Sequence, residues 1–382
     1  MHKKKIFRVA TVSMSLDILL KGQLKFLQQY YDITAISGAD EHLDEVERRE
    51  GVRVKNIKMK REISVFNDVV SLFRLYWFFR KEKPALVHSI TPKAGLLTMI
   101  AGKMAGVPVR MHTFTGLVFP AKSGFKKRLL IWMDKLLCAC ATHIYPEGKG
   151  VKKELLQYRI TSKPLSIIAN GNINGVDLTY FDPYLFSDED KIEQRQKLGI
   201  EKQDFVFVFL GRLVRDKGVA ELVEAFTKLN ATGRIKLLLV GDYEQNLDPL
   251  PAKIVSDIEM YPDIISVGFV KDVRPYLSIS DVLVLASYKE GFPNSVLQAA
   301  AMGLPCIVTD ISGNNEIITH GDTGWIIPVR NTEALQEAMK KALVEYKRNA
   351  QFSQYTRRKI ALLYEQSVVW NALLFEYQKH LR

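Results

Sequence analysis

Short, continuous runs of apolar residues, each followed by a helical stretch, recur along the whole chain in two series. In the first series the strand candidates centre on Arg8–Val12, Ile33–Ser37, Val52–Ile57, Leu86–Ser89, Val109–Thr113, His143–Tyr145 and Ser166–Ala169. Helical stretches fall between them, notably at 64–82, 92–105 and 124–140. The second series restarts at Phe205–Leu210 (FVFVFL). It continues through Lys236–Val240, Ile264–Val267, Val282–Leu285, Cys306–Thr309 and Trp325–Ile327. Strands without polar alternation are buried on both faces, the mark of parallel sheets covered by helices. Two such series imply two doubly wound α/β domains facing each other.

The join falls in Asn170-Gly-Asn-Ile-Asn-Gly-Val-Asp177 and the polar stretch to about residue 200, where turn formers cluster ahead of Asp182-Pro183. This places one domain at 1–172 and the second at 173–359. From about 351 the chain is helical in period, with Leu362, Leu363, Val369, Leu373, Leu374 and Tyr377 apolar. No strand follows, and a segment of about 360–382 has the pattern to pack back on the first domain.

Charge separates the halves. The net charge is +12, but residues 1–170 carry 30 Lys/Arg against 14 Asp/Glu, and residues 171–382 carry 24 against 28. A basic first domain calls for an anionic partner. No zinc finger, RNA-binding sheet motif or basic zipper is present, which points to a membrane surface and away from nucleic acid. The cysteines, Cys138, Cys140 and Cys306, are odd in number and form no C-x-x-C pair. They read as inert thiols of a reducing cytoplasm. Arg8 and Asp17 interrupt the apolar stretch that would make the opening a signal peptide, so it reads as a first strand.

In doubly wound folds ligands bind at the carboxyl ends of the strands. After Phe205–Leu210 comes Gly211-Arg212-Leu-Val-Arg-Asp-Lys217-Gly218. A glycine turn with two cations at the start of a helix suits a diphosphate. A solvated loop is the alternative. After Val282–Leu285 comes Glu290-Gly-Phe292-Pro293-Asn294-Ser295-Val296-Leu-Gln298. Pro293 suits the first turn of a helix, whose free N–H groups at Asn294, Ser295 and Val296 could hold phosphate oxygens. Glu290, in the loop before it, could accept hydrogen bonds from sugar hydroxyls.

The Arg212/Lys217 pair, the Glu290-Gly-Phe-Pro segment and the Asn170-Gly…Val176-Asp177…Phe181-Asp-Pro183 connector together resemble the retaining glycosyltransferases of family 4, which have the GT-B fold. His88-Ser-Ile-Thr-Pro-Lys-Ala-Gly and Val107-Pro-Val-Arg-Met-His112-Thr resemble the branch that builds bacterial capsule, O-antigen and lipid-linked oligosaccharides. The resemblance covers nearly the whole chain. It implies that Arg212 and Lys217 neutralise the donor diphosphate and that Glu290 contacts the transferred sugar. Gly211, Phe292, Pro293, Asn294, Ser295, Val296 and His112 fall in the implied donor site, and His88 is a sugar or acceptor contact. It also implies retention of anomeric configuration, no cofactor and no metal. The single D-x-D-like string, Asp188-Glu-Asp190, reads as a solvated loop. Two features depart from the family. Gln298 stands where a second glutamate usually holds the ribose, and Ser13–Gly22 replaces a Gly-Gly loop.

Lys122, Phe125, Lys126, Lys127 and Arg128 mix cations with apolar residues near a helix start, a pattern suited to an interfacial membrane helix. The aromatic stretch Phe66–Phe79 reads mostly as core. The expected activity is transfer of a sugar from a nucleotide-sugar, UDP-linked by expectation, to a lipid-linked acceptor at the inner face of the cytoplasmic membrane. The competing readings are a nucleotide-sugar epimerase or hydrolase on a similar scaffold, and a catalytically weak sugar-nucleotide-binding partner of another transferase.

Overall fold

The computed structural model describes residues 3–60, 62, 64–229, 234–244, 248–345 and 349–381. The chain forms two units. Unit 1 comprises residues 1–175 and 366–382, and unit 2 comprises residues 176–365. The crossings thus fall at 175/176 and 365/366, against the expected 172/173 and about 360.

In unit 1 the elements run β1 (Lys5–Val9), α1 (Ser13–Leu19), α2 (Gln23–Gln28), β2 (Asp32–Ser37), α3 (Glu41–Glu50), β3 (Arg53–Asn56), α4 (Val65–Glu82), β4 (Leu86–Ser89), α5 (Pro92–Met104), β5 (Val109–Phe114), α6 (Gly124–Cys140), β6 (His143–Pro146) and α7 (Lys149–Gln157). All pairings are parallel, in the order β3-β2-β1-β4-β5-β6. The direction of travel reverses once, between β3 and β4. Right-handed crossovers therefore put α1–α3 on one face of the sheet and α4–α6 on the other. The packing agrees: one apolar cluster joins Leu16, Leu24, Leu43 and Val46 under the first face, and another joins Leu75, Phe79, Met99 and Leu137 under the second.

Ser166–Ala169, expected as a strand, forms none. Here isolated bridges alone join Leu165 to Ile144 and Ala169 to Gly171, because the chain is already leaving the sheet edge toward the connector.

Unit 2 runs α8 (Asp188–Lys197), β7 (Phe205–Leu210), α9 (Val219–Leu229), β8 (Ile235–Val240), α10 (Ala252–Met260), β9 (Ile264–Gly268), α11 (Arg274–Ser278), β10 (Val282–Leu285), α12 (Asn294–Ala301), β11 (Cys306–Thr309), α13 (Asn314–Ile317), β12 (Gly324–Ile327), α14 (Thr332–Glu345) and α15 (Asn349–Tyr364). The sheet order β12-β11-β10-β7-β8-β9 repeats the topology of unit 1. Phe207, Val208, Leu237, Leu238, Val284 and Ile307 are fully buried, as strands covered on both faces must be.

The C-terminal stretch is two helices rather than one. It breaks at Glu365, which pairs with Val176, and α16 (Gln366–His380) then packs in unit 1. Its Leu373, Leu374 and Tyr377 join the cluster beneath α1–α3. Leu362, expected to be part of an apolar stripe, lies 67% exposed.

Candidate active site

The switch point of unit 2 lies between β7 and β10, and the loops leaving these strands meet there. Gly211 takes φ +150° as the chain leaves β7. Residues Arg215–Lys217 make one turn of 3-10 helix, closed by Gly218 at φ +67°. A Cβ on Gly218 would stand 2.1 Å from the carbonyl oxygen of Ala286, just past β10. Glycine alone lets the two loops lie this close. The consequence is an ion pair: Lys217 Nζ donates to Glu290 Oε1 at 2.5 Å, with the two side chains 24% and 12% exposed. The same loops are tied at the backbone, where the N–H of Tyr288 donates to the Asp216 carbonyl at 2.8 Å. Lys289 pairs with Asp216 at 3.0 Å.

Glu290 is held from behind. Ser287 Oγ donates to Glu290 Oε1 at 2.8 Å, and the Ser287 carbonyl accepts from Thr309 Oγ1 at 2.5 Å. Asn314 Nδ2 in turn donates to the Thr309 carbonyl at 3.1 Å. Nearby, Tyr288 donates to Glu221 at 2.5 Å while the Arg330 guanidinium lies over its ring at 4.4 Å. None of Ser287, Thr309 and Asn314 is among the site residues expected from the sequence. Ser287 and Thr309 end or follow strands, so the strand-end rule already pointed to them.

Pro293 does not sit in the first turn of α12. It is the N-cap, at φ −74° and ψ 112°, and the helix starts at Asn294. Among the described residues Pro293 makes no side-chain cap. The first-turn N–H groups of an α-helix have no partner within the helix, and its positive end favours an anion. Phe292 and Val296 are buried, and Phe292 packs on the Tyr364 ring at 5.4 Å between centroids. They fix the loop from within, while Asn294 and Ser295 are half-buried at its rim. Gln298, more than a turn inside α12, is half-buried. Arg212 is the open member of the set: its side chain is 59% exposed and stands 3.6 Å from Glu244. The arrangement thus gathers Gly211, Arg212, Lys217, Glu290 and the start of α12 at one sheet edge. Chemically, it offers cations and a helix end to an anionic leaving group, with a carboxylate beside them.

In unit 1, His112 ends β5 and is buried. Its Nδ1 is 2.8 Å from Ser89 Oγ, and Nε2 has no hydrogen-bond partner among the described residues. Burial pushes its pKa down to about 3, so the ring is neutral. Gly95 of α5 leaves the room it needs, since a Cβ there would lie 2.5 Å from His112 Cε1. His88 differs. Its Nδ1 is 2.7 Å from the Tyr377 hydroxyl and its Nε2 is 2.8 Å from Thr113 Oγ1. Burial, followed by the charge of Arg8, holds its pKa well below the usual histidine range. Both of its nitrogens are engaged inside unit 1, which ties His88 to α16.

Asp188-Glu-Asp190 is not a loop. It forms the first turn of α8, where Ser187 and Asp190 cap each other. Lys122, Phe125, Lys126 and Arg128 are exposed near the start of α6. Lys127 instead turns to Tyr158, with its Nζ 4.9 Å from the ring centre. Cys138, Cys140 and Cys306 are buried free thiols.

Comparison with known proteins completes the picture. The model of the glycosyl transferases group 1 matches residues 190–359, and that of the glycosyl transferase 4-like domain matches residues 27–171. The chain is 32% identical over 288 residues to the UDP-Gal:alpha-D-GlcNAc-diphosphoundecaprenol alpha-1,3-galactosyltransferase of Escherichia coli, covering 73% of this chain and 71% of that one. It is 28% identical to the capsular polysaccharide biosynthesis glycosyltransferase CapM of Staphylococcus aureus, over 100% of this chain and 99% of that protein. Anabaena Alr3699/HepE, solved with UDP and glucose, superposes with a TM-score of 0.83 at 16% identity, over 98% of this chain and 100% of that one. Together these define a GT-B glycosyltransferase, and the chain belongs to the group 1, GT4-type family that its motifs resemble.

Proposed function

We propose that the protein is a retaining, metal-independent transferase that moves a sugar from a UDP-sugar to a lipid-linked saccharide in surface-polysaccharide assembly, working at the inner face of the cytoplasmic membrane. The observation that carries this reading is the meeting of Lys217, Glu290 and the start of α12 at the switch point of unit 2. A departing nucleoside diphosphate gains negative charge in an oxocarbenium-like transition state. Lys217, Arg212 and the first N–H groups of α12 would hold that charge in fixed positions, the term that is usually largest in catalysis. Glu290 would orient the transferred sugar while sharing Lys217 with the diphosphate. Gln298 would accept and donate one hydrogen bond each at the ribose. His112 carries a buried nitrogen with no partner among the described residues, an unmade bond that costs about 1–3 kcal/mol and that a sugar hydroxyl would satisfy. The relatives named for capsule synthesis and for a diphosphoundecaprenol acceptor support the lipid-linked acceptor. No helix among the described residues is long and apolar enough to cross a membrane.

A thermal-shift screen of UDP-, GDP- and ADP-sugars tests the donor. UDP-sugars should raise the melting temperature, and Arg212→Ala and Lys217→Ala should abolish the shift. A shift that persists in both variants would overturn the assignment. Product analysis with lipid-linked acceptors then reads the anomeric outcome.

A further inference from the structure

The helix layer α4–α5–α6 departs from ordinary packing. A helix apolar on all sides belongs in a core. α4 buries Ser71, Leu75 and Phe79 against unit 1, yet its opposite side is also apolar: Phe66 is 79% exposed, Phe73 49% and Trp77 66%. With Val69, these residues recur at intervals of three and four and form one stripe along the helix. Arg74, Arg80 and Lys81 are exposed along its flank and end. The sequence assigns most of this stretch to the core, and the structure turns half of it outward. On α6 the exposed line is Phe125, Arg128, Trp132 and Lys135, alternating aromatic and cation. Both acidic residues of α4 are already neutralised within the unit, Asp68 by Lys93 and Glu82 by Lys5.

These two stripes share a face, because α4 and α6 flank the buried α5 on the same side of the sheet. Helices that follow parallel strands start at the carboxyl edge of the sheet. Phe66 and Phe125 therefore both stand at the edge where ligands bind, one at each side of α5. Aromatic residues interleaved with cations match an anionic bilayer interface, which takes rings at headgroup depth and attracts Lys and Arg.

We infer that the outer face of α4 and α6 docks unit 1 onto an anionic lipid surface, with Phe66, Phe73, Trp77, Phe125 and Trp132 in the interface, so that the carboxyl edge of the sheet meets the membrane. This rests on the lipid-linked acceptor proposed above and names the surface that would meet it.

Vesicles of phosphatidylcholine with and without phosphatidylglycerol, with a brominated lipid included, provide the probe. The full-length protein should co-sediment with the anionic vesicles, and the bromine should quench its tryptophan emission. Phe66→Ser/Phe73→Ser/Trp77→Ser should lose binding that survives high salt. Lys122→Glu/Lys126→Glu/Arg128→Glu should weaken binding at low salt by more than about fivefold per cation. Both variants change exposed side chains, so each should keep the wild-type melting temperature and donor-induced shift. A variant that keeps those readouts yet binds vesicles like wild type would overturn the inference. So would concentration-dependent dimerisation abolished by the same α4 changes, because a second copy would then cover the face. Failure of the donor reading would appear separately, as a wild-type protein that binds vesicles but shifts with no nucleotide-sugar.

Discussion

The Lys217–Glu290 pair should separate stability from catalysis in a double-mutant cycle. The contact is short, and both side chains are mostly out of water. Breaking a fully buried pair by removing one partner costs about 3–5 kcal/mol, whereas an exposed pair is worth about 0–1. With the lysine about a quarter exposed and Ser287 still bonded to the carboxylate, we place Lys217→Met at about 2 kcal/mol. For a unit the size of residues 176–365, 1 kcal/mol moves the melting temperature by about 2–4 °C, so the loss should be about 4–8 °C. Glu290→Gln should cost about as much. The double variant should recover part of it, a coupling of about 1–2 kcal/mol, because neither charge is then left alone. Turnover should behave differently. Lys217→Met should lower kcat by about 10²–10³, the usual loss for one transition-state donor, and the double variant should do no better. Melting of the ligand-free protein and a UDP-release assay read the two quantities. A double variant that regains turnover would show that Lys217 matters only by holding Glu290. Coupling below about 0.5 kcal/mol would show that the pair is not a unit at all.

Three further outcomes follow from the same geometry. Gly218→Ala places a Cβ against the Ala286 carbonyl at a positive φ, so it should cost at least about 2 kcal/mol and weaken the UDP-sugar thermal shift with it. Gln298→Glu should lower the KM for donor about fivefold if this position holds the ribose, the gain from a charged over a neutral hydrogen bond; no change would remove Gln298 from the site. His112 has a folded pKa of about 3 against 6.5 when free, so the unfolded chain binds the extra proton between those values. Its contribution is complete above pH 6.5 and is lost as pH falls toward 3, at up to about 1.4 kcal/mol per pH unit. His112→Asn should flatten the melting-temperature profile over that range, and an unchanged slope would refute it.

Much of this was legible in the sequence because buried parallel strands announce themselves as unbroken apolar runs. Leu86–Ser89, Phe205–Leu210, Val282–Leu285 and Cys306–Thr309 match their expected bounds, and α6 spans Gly124–Cys140 as its period predicts. The errors have physical causes. Ser166–Ala169 has a strand's composition, but the chain leaves the edge at β6 after a single bridge at Leu165. Asp188–Asp190 looked like solvated charge because acidic residues at a helix start resemble a polar loop until the cap at Ser187 is seen. Periodicity reports that a helix has an apolar side and not how many of its sides are covered, so Phe66, Phe73 and Trp77 were indistinguishable from Leu75 and Phe79. The site itself was half legible. Spacing places Arg212, Lys217 and Glu290 after their strands, and nothing in it shows that Lys217 reaches Glu290.

That last contact changes what the site can be. Two loops bearing a lysine and a glutamate at strand ends could serve any anionic ligand. The close approach that Gly218 permits makes them a preformed pair with a helix start beside it. In such a pair the lysine has to be divided between an incoming phosphate and a carboxylate that Ser287 holds in place. A ligand carrying both a diphosphate for the cation and hydroxyls for the carboxylate satisfies the two at once, whereas a bare phosphate leaves Glu290 facing a like charge. The geometry therefore favours a sugar joined to a diphosphate over either part alone. The sharpest check is comparative: inorganic pyrophosphate should raise the melting temperature less than an intact UDP-sugar at equal ligand concentration, and Glu290→Gln should narrow that gap by helping the pyrophosphate.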